Sequence, residues 1–272
     1  MESLAVIGNI SRDLTRYPDD RGGSRLGGAA LLLSLAAAKA GRRATPVCVL
    51  GDDLAHLPES SGLELLDWSA VRRADGPTAS FGLDYDADGE LLSVHTDYGV
   101  AEGLTAHALA YLADHPGSSY HVCCRRPLDV EAALSQLAAC GSDFSVDFFL
   151  PSAEEMIHAA APWLARASTI FVNAAEYRLL GSVLDIAFLP EVVVTDGPRA
   201  ALVRHLGRQT ASVVPPSRAP REVSGAGDTF AGTFLAHRAG GATPSRSLTE
   251  AVAASAEYVT APPLPIPSPR RA

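Results

Sequence analysis

The sequence predicts an α/β protein with a mainly parallel sheet and a small β appendage. Short, partly β-branched apolar runs alternate with helical patterns along most of the chain. This alternation is typical of parallel strands joined by crossover helices. Of the 272 residues, 47% are hydrophobic and 19% are charged, a composition that supplies a sizeable core. We expect one domain over residues 1–272.

The first unit of this alternation lies within the first fifty residues. Residues 4–7 are a short apolar run closed by Gly8-Asn9, and residues 29–40 are strong helix formers ended by Gly41. Residues 45–50 form the next apolar run. A strand, a helix and a strand in this order predict a right-handed parallel crossover.

Residues 78–98 interrupt the alternation with the pattern of a β hairpin. The turn signal Asp88-Gly89 separates two short runs, so we expect these residues to lie outside the main sheet. Beyond them the predicted strands are 120–124, 144–148, 169–172, 191–195, 199–205 and 209–214. The predicted helices are 105–113, 129–139, 152–160, 174–180 and 248–259, followed by a frayed or extended proline-rich tail, 262–269.

Charge and hydropathy argue against nucleic-acid and membrane partners. The 22 Lys and Arg residues against 31 Asp and Glu residues leave a net charge of −9, which disfavours binding to a phosphate backbone. No apolar run approaches the ~20 residues of a membrane span, and the start of the chain lacks a basic signal-peptide pattern. We therefore expect a soluble, cytoplasmic protein.

Several catalytic motifs are absent. The 22 basic residues include a single lysine, Lys39, which lies outside any phosphate-loop motif. Phosphate chemistry must therefore use arginine, backbone amides or a metal. The four cysteines show no C-x-x-C spacing and the histidines show no metal-ligand spacing, so we interpret the cysteines as free thiols.

The most informative segment is residues 224–232, where Gly225-Ala226-Gly227 directly precedes a helical pattern. Backbone amides at a helix start, together with the helix dipole, bind anions. Asp228 in the first turn could take a proton from a hydroxyl while those amides stabilise a transferring phosphoryl group. The alternative is an ordinary loop-to-helix junction, with Asp228 as a partner of the dipole.

A series of short motifs runs through the chain: Gly8-Asn9 with Asp13, Gly27-Gly28 and Gly51-Asp52-Asp53 in the opening, then Asn173-x-x-Glu176, Thr195-Asp196-Gly197 and Gly225-Ala226-Gly227-Asp228. In this order, these motifs resemble those of the ribokinase-like (PfkB) sugar kinase family. The resemblance implies a three-layer α/β/α sandwich with a small β lid near residues 11–26 and 76–98. It implies an ATP-dependent kinase that phosphorylates a hydroxyl, often a hydroxymethyl, of a sugar or nucleoside.

The resemblance also assigns roles to single residues. It makes Asp228 the general base and places the anion hole at Gly225, Ala226 and Gly227. It assigns substrate contacts to Asn9, Asp13, Gly27 and Gly28, magnesium and its waters to Asn173 and Glu176, with Glu176 acting through water, and the nucleotide site to Thr195 and Gly197.

Two departures from the family pattern concern the substrate. Glu222-Val223-Ser224 precedes the anion hole where the family usually has D-T-T. Asp147-Phe148-Phe149 stands where an Asp is often followed by small polar residues and Arg. The alternatives left open are a vitamin kinase acting on a pyrimidine or pyridine hydroxymethyl, and a retired kinase that senses sugars or nucleotides.

Three further interpretations concern the rim of the site. We expect Arg125 and Arg126 to be surface charges rather than ligands of an anionic substrate group. Tyr17, Phe81 and Tyr85 could stack on a nucleoside base or simply pack the lid. We expect a homodimer in which the apolar lid faces meet, although the acidic residues of 84–97 oppose such a contact.

Overall fold

The computed structural model describes residues 3–267. Its strands are β1 Leu4–Ile7, β2 Ser11–Arg16, β3 Gly23–Gly27, β4 Ala44–Leu50, β5 Val71–Arg73, β6 Ser80–Tyr85, β7 Leu91–Asp97, β8 Ser119–Cys124, β9 Asp143–Phe148, β10 Thr169–Asn173, β11 Glu191–Thr195, β12 Ala201–His205 and β13 Arg208–Val213. Its α-helices are α1 Ala29–Lys39, α2 Leu104–Asp114, α3 Val130–Cys140, α4 Ala153–Leu164, α5 Ala174–Val183, α6 Ala226–Ala239 and α7 Pro244–Tyr258.

The main sheet has nine strands in the order β13-β12-β11-β10-β9-β8-β1-β4-β5. The strands from β11 to β5 pair in parallel, and β12 and β13 add an antiparallel edge. The predicted parallel sheet is therefore confirmed. Because β1 lies in the interior of the sheet, the loop after it faces the ends of its neighbours.

Helices cover both faces of this sheet, as a three-layer sandwich requires. Alternate residues of β1 point to opposite faces, so Leu4 and Val6 join one core while Ala5 and Ile7 join the other. The first core contains buried residues of α1, α6 and α7, and the second contains buried residues of α2 to α5. The apolar, alanine-rich α1 is buried from Ala29 to Ala37, which explains its lack of a polar face.

A second, smaller sheet has the strand order β3-β2-β6-β7. The turn signal indicated the hairpin of β6 and β7, and the family resemblance placed residues near 11–26 beside it. Strands β2 and β3 lie in that segment and extend the hairpin to four strands. Strand β2 pairs in parallel with β6 and places Asp13 opposite Phe81. Because paired residues point to the same face, both side chains lie on one face of the small sheet.

The last helix starts earlier than the predicted residue 248. Thr243 caps it by accepting a hydrogen bond from the Arg246 amide, and Pro244 takes its first position, where a proline is well tolerated. The described part of the tail is attached, since Leu26 donates its N–H to Leu264 O at 2.8 Å. Residues 268–269 of the predicted tail lie outside the described residues. Within residues 3–267, no helix has the length and apolar character needed to cross a bilayer.

Candidate active site

The candidate site residues follow the carboxyl ends of neighbouring strands. Asn173 and Thr195 are register partners at the ends of β10 and β11, and Cys123 pairs with Asp147 on β8 and β9. Asn9 lies just beyond β1. In an open parallel sheet these ends form the crevice in which ligands bind, so the order of strands brings together residues that are far apart in sequence.

Helix α6 begins at this crevice with a glycine in the left-handed conformation. Gly225 has φ of 87° and caps the helix, and a β-carbon there would overlap Leu32 Cδ1 and lie 2.6 Å from the Tyr258 hydroxyl. Gly227 is exposed, and a β-carbon there would meet nothing within 4 Å. Gly225 is thus required by the backbone, whereas Gly227 leaves open space in front of the helix.

The first-turn amides of α6 are not all available for an anion. The Ala226 N–H donates to Val223 O at 3.1 Å, and the Thr229 N–H donates to Gly225 O at 3.0 Å. Helical geometry leaves the first amides without partners inside the helix, so Gly227 and Asp228 provide the amides that remain. Ala226 is one of the three residues expected to form the anion hole. Its amide is already hydrogen-bonded in the turn and is not available to an anion.

Asp228 lies in the first turn of α6 with its side chain 13% exposed. Burial raises the pKa of its carboxyl group, and the charge of Arg125 opposes this increase. Asp228 Oδ1 lies 3.8 Å from Arg125 Nη2. Asp228 is therefore a buried carboxyl group beside a cation. The cation favours the ionised form of the carboxyl group, which is the form that can accept a proton.

The prediction that Arg125 is a surface charge is wrong. Arg126 is 58% exposed and pairs with Glu155 at 2.7 Å, but the Arg125 side chain is only 17% exposed and pairs with Asp147 Oδ2. Its guanidinium group also lies 5.5 Å from the centre of the Phe149 ring. Its position in the sequence could have indicated this: residues that follow an interior parallel strand open into the crevice, and Asp147 is the last residue but one of the neighbouring strand β9.

Asp13 and the paired glycines form a second part of the site. Asp13 Oδ1 accepts a hydrogen bond from Ser11 Oγ at 2.6 Å. A β-carbon at Gly27 would overlap the Asp13 carboxylate, and one at Gly28 would overlap Asn9 O. Desolvation by burial raises the pKa of Asp13 to about 6. The glycines are thus needed so that this carboxyl group can lie against the start of α1.

Asn9 is a buried residue just beyond β1, and its backbone oxygen lies next to Gly28. Its Nδ2 donates to Arg126 O at 3.2 Å, while its Oδ1 is buried without a hydrogen-bond partner among the described residues. Buried polar atoms normally have a partner. The negative charge of Asp228 is one cause of the raised pKa of Asp13, so Asp13 and Asp228 belong to one electrostatic neighbourhood.

Asn173 and Glu176 form a capping box at the start of α5. Asn173 Oδ1 accepts from the Glu176 amide at 2.9 Å, and Glu176 Oε2 accepts from the Asn173 amide at 2.8 Å. Burial raises the pKa of Glu176 to about 7, with the Asp147 charge contributing. The box leaves Oε1 for other partners, and a carboxylate oxygen that acts through water fits the ligand preference of Mg²⁺.

Thr195 and Gly197 lie beside Asn173 at the end of β11. Thr195 is half-buried, and Gly197 is exposed in a turn with φ of 55°. This position is on the side of Asn173 away from β1, since β11 and β1 lie on opposite sides of β9 in the sheet. The crevice therefore has two ends: Asn9 and Asp13 at one, and Thr195 and Gly197 at the other.

Two of the three aromatic side chains considered for base stacking are already stacked. The Tyr17 ring lies 5.0 Å from the Tyr85 ring, and the Arg21 guanidinium lies 4.3 Å from the Tyr17 centroid. The Tyr17 ring therefore already contacts a second ring and a guanidinium group. Phe81 is half-buried, lies on the same face as Asp13 and meets Tyr98 edge-on, so it remains a candidate for stacking on a base.

The structure also brings together His121, Cys123 and Asp147, which no sequence spacing indicated. Their donor atoms lie within 4.8 Å of one another, and all three residues are buried. Burial raises the pKa of the Cys123 thiol well above its usual range, and Arg125 already pairs with Asp147. A protonated thiol and an adjacent guanidinium both oppose a bound cation. We interpret this group as a support for Asp147.

A glycine-rich helix start, an aspartate in its first turn and a crevice at the carboxyl ends of a parallel sheet are features of a small-molecule phosphotransferase. The model of the pfkB family carbohydrate kinases matches residues 1–270. The chain belongs to this family, and its predicted fold class and phosphotransferase activity on hydroxyl groups are confirmed.

Individual relatives agree with this family assignment. The chain is 28% identical over 269 residues to a cytidine kinase of Thermococcus kodakarensis, a match that covers 93% of this chain and 92% of the relative. A Burkholderia thailandensis nucleoside kinase in complex with inosine superposes with a TM-score of 0.81 at 18% identity, covering 96% and 92% of the two chains. A putative ribokinase II from E. coli in complex with ATP and Mg²⁺ gives 0.77 at 19% identity, covering 97% and 94%.

Proposed function

We propose that this protein is a nucleoside kinase that transfers the γ-phosphoryl group of ATP to a hydroxymethyl group of its substrate. One observation carries the proposal: the buried carboxyl group of Asp228 lies at the start of α6, beside Arg125 and in electrostatic contact with Asp13. A base, an anion-binding helix start and acceptors for substrate hydroxyls are the parts that in-line phosphoryl transfer needs.

The residues divide the reaction between them. Asp13 and Asn9 accept hydrogen bonds from substrate hydroxyls, because a carboxylate and an amide oxygen both provide free lone pairs. Asp228 takes the proton of the attacking hydroxyl as the hydroxyl oxygen bonds to the γ-phosphorus. At the same time, the bond between the γ-phosphorus and the β–γ bridging oxygen breaks. The α6 amides stabilise the charge that develops on the transferred group.

Glu176 and Asn173 are the residues that would hold Mg²⁺ and its waters. The ion, when bound, neutralises phosphate charge during the transfer. Thr195 and Gly197 are the residues that would contact the nucleotide, at the end of the crevice away from Asp13. In this division, ATP as the phosphoryl donor and the nucleoside as the phosphoryl acceptor occupy opposite ends of one site, with Asp228 facing both.

A nucleoside is favoured over a simple sugar by two observations. Phe81 lies half-buried on the face of the small sheet that carries Asp13, where an aromatic ring can cover a base. A cytidine kinase and a nucleoside kinase are among the similar proteins.

We also propose that the small sheet acts as a lid over Asp13, that it provides a homodimer contact, and that the protein is cytoplasmic.

An ATP-consumption screen tests the function. Sugars, nucleosides and hydroxymethyl pyrimidines or pyridines are offered with ATP and Mg²⁺, and the products of the active compounds are identified by mass. Asp228→Asn should lower kcat by at least ~10²-fold, the contribution of a general base. Asp114→Asn is the control, because Asp114 is exposed at the end of α2. Binding of ATP and nucleosides without turnover of any compound would instead indicate a sensor.

A further inference from the structure

Arg125 is held in the crevice by side chains other than Asp228, the proposed general base. It follows β8 directly, and its Nη2 pairs with Asp147 Oδ2 and lies 3.8 Å from Asp228 Oδ1. Phe149 lies against the guanidinium at 5.5 Å. A negative charge at the end of β9 and a ring after it therefore hold this cation beside the first turn of α6.

The guanidinium group has donors to spare. Arginine carries five N–H donors, and the hydrogen bonds to Asp147 and to Phe148 O both use Nη2. Nε is buried, and it has no acceptor within the described residues. Since buried donors are normally satisfied, Nε is suited to donate to an acceptor that binds during the reaction. Phosphoryl oxygens match the planar fork of arginine.

The position of Arg125 suits the group that is transferred. A base lies ~3 Å from the hydroxyl oxygen whose proton it takes, and in the reaction the phosphorus bonds to that same oxygen. A cation within 4 Å of Asp228 is thus within reach of the phosphoryl group. Lys39, the single lysine of the chain, is exposed near the end of α1 and cannot take this role.

We propose that Arg125 is a catalytic residue that binds the transferring phosphoryl group, with Asp147 as its positioning residue. The proposal rests on the proposed kinase function. As the bond to the acceptor oxygen forms and the bond to the β–γ bridging oxygen breaks, the hydroxyl proton goes to Asp228 and ADP leaves. Arg125 gives up no proton and stabilises the negative charge of the phosphoryl oxygens, which is the main requirement of this transition state.

The test compares Arg125→Gln with Arg126→Gln, its exposed neighbour, in the full chain. With the nucleoside that the wild type phosphorylates, Arg125→Gln should lower kcat by about 10²–10³-fold, the effect of removing one preorganised charge donor, and leave the nucleoside KM within about threefold. Arg125→Lys should keep only part of kcat, since an ammonium group lacks the fork. Arg126→Gln should behave as the wild type does.

A second readout separates phosphoryl binding from structural support. ADP, Mg²⁺ and aluminium fluoride, which mimics the transferring group, should bind the nucleoside-loaded wild type at least tenfold more tightly than ADP and Mg²⁺ alone. Arg125→Gln should lose this gain, and Arg126→Gln should retain it. If Arg125→Gln is unstable because Asp147 is left unpaired, the Arg125→Gln/Asp147→Asn double variant removes both charges, and its kcat should remain low.

Specific results would overturn the inference. Full kcat at saturating nucleoside in the double variant, or an undiminished gain from aluminium fluoride in Arg125→Gln, would show that Arg125 only supports the fold. If Asp228→Asn abolishes transfer while Arg125→Gln preserves it, the kinase function stands and the role of Arg125 falls. A wild type that phosphorylates no compound of the panel would overturn both proposals.

Discussion

The Tyr17 hydroxyl donates a 2.7 Å hydrogen bond to Oε1 of Glu222, which joins the small sheet to the segment before α6. Glu222 is 4% exposed, and it also accepts from Thr15 Oγ1 at 2.7 Å and from the Ser224 amide at 2.9 Å. Arg25 Nη1 lies 3.4 Å away as its counter-ion. One carboxylate therefore holds the sheet that carries Asp13 to the loop that precedes α6.

Removal of this carboxylate should destabilise the protein strongly. Glu222→Ala leaves Arg25, which is 1% exposed, without its counter-ion, and breaking a buried pair in this way costs about 3–5 kcal/mol of unfolding free energy. Tyr17→Phe removes the hydrogen bond to the Glu222 carboxylate and the one that the hydroxyl accepts from the Val223 amide at 3.2 Å, and it should cost about 1.5–3 kcal/mol. Urea denaturation measures both, and the double variant should cost less than the sum.

The exposed pair of Arg16 and Asp84 on the same small sheet provides the control. Arg16 is 53% exposed and lies 3.0 Å from Asp84, so Arg16→Gln should leave stability nearly unchanged. Strictly additive effects of Glu222→Ala and Tyr17→Phe would contradict the coupling between the two residues.

The two glycines at the start of α6 should respond differently to alanine. Gly225→Ala places a side chain in the left-handed region and against Leu32, so it should lower stability by at least about 1–2 kcal/mol. Gly227→Ala enters open space and should leave the melting temperature unchanged or raised, because alanine favours helix. Its kcat should nevertheless fall at least tenfold, since the new methyl group lies where the anion approaches. Normal turnover by Gly227→Ala would place the anion elsewhere.

The pH profile of activity should reveal the ionisation of Asp13. Burial raises the pKa of Asp13 to about 6, and a protonated carboxyl group accepts substrate hydroxyls less well. We expect kcat/KM for the nucleoside to fall about tenfold per pH unit below pH 6. Burial raises the pKa of Glu176 to about 7. When ATP is the varied substrate, the pH profile of kcat/KM should therefore have its midpoint at a higher pH. Identical profiles for both substrates would contradict this assignment.

The ionisation of Asp13, which should increase activity, should decrease the stability of the fold. With a raised pKa, the folded protein binds the Asp13 proton more tightly than the unfolded chain does, so this contribution is complete below about pH 4 and is lost as the pH rises through about 6. Asp13→Asn should therefore raise the unfolding free energy by up to about 3 kcal/mol at pH 7.5. At pH 5 the gain should be roughly half as large, as denaturation at the two pH values will show.

The predicted homodimer remains to be tested by light scattering. Leu83 and Tyr85, on the face of β6 expected to meet a second subunit, are 5% and 9% exposed and pack within the chain against Tyr17. A dimer must therefore use other parts of the small sheet, where Leu14 and Leu92 are 38% and 68% exposed. We expect twice the 28.4 kDa chain mass and a larger dimer fraction at high salt, which screens the acidic residues. A mass of one chain at micromolar concentration, with full activity, would refute it.

The sequence by itself determined the layers of the fold and the local residue patterns of the candidate site. The main-sheet strands from β8 to β13 lie within one or two residues of their predicted bounds, because apolar runs and turn residues act locally. The capping box of Asn173 and Glu176 and the glycine start of α6 are local patterns as well. Such features need only neighbours within a few residues, which a sequence shows directly.

Only the tertiary structure decided the partners of the buried charges. Arg125 looked like a surface residue until the order of strands placed it beside Asp147 and Asp228, and Glu222 acquired its role from Tyr17, which lies 205 residues away. Whether a charged side chain is solvated or paired depends on which chain segments close over it. That closure results from long-range packing, which no local pattern encodes.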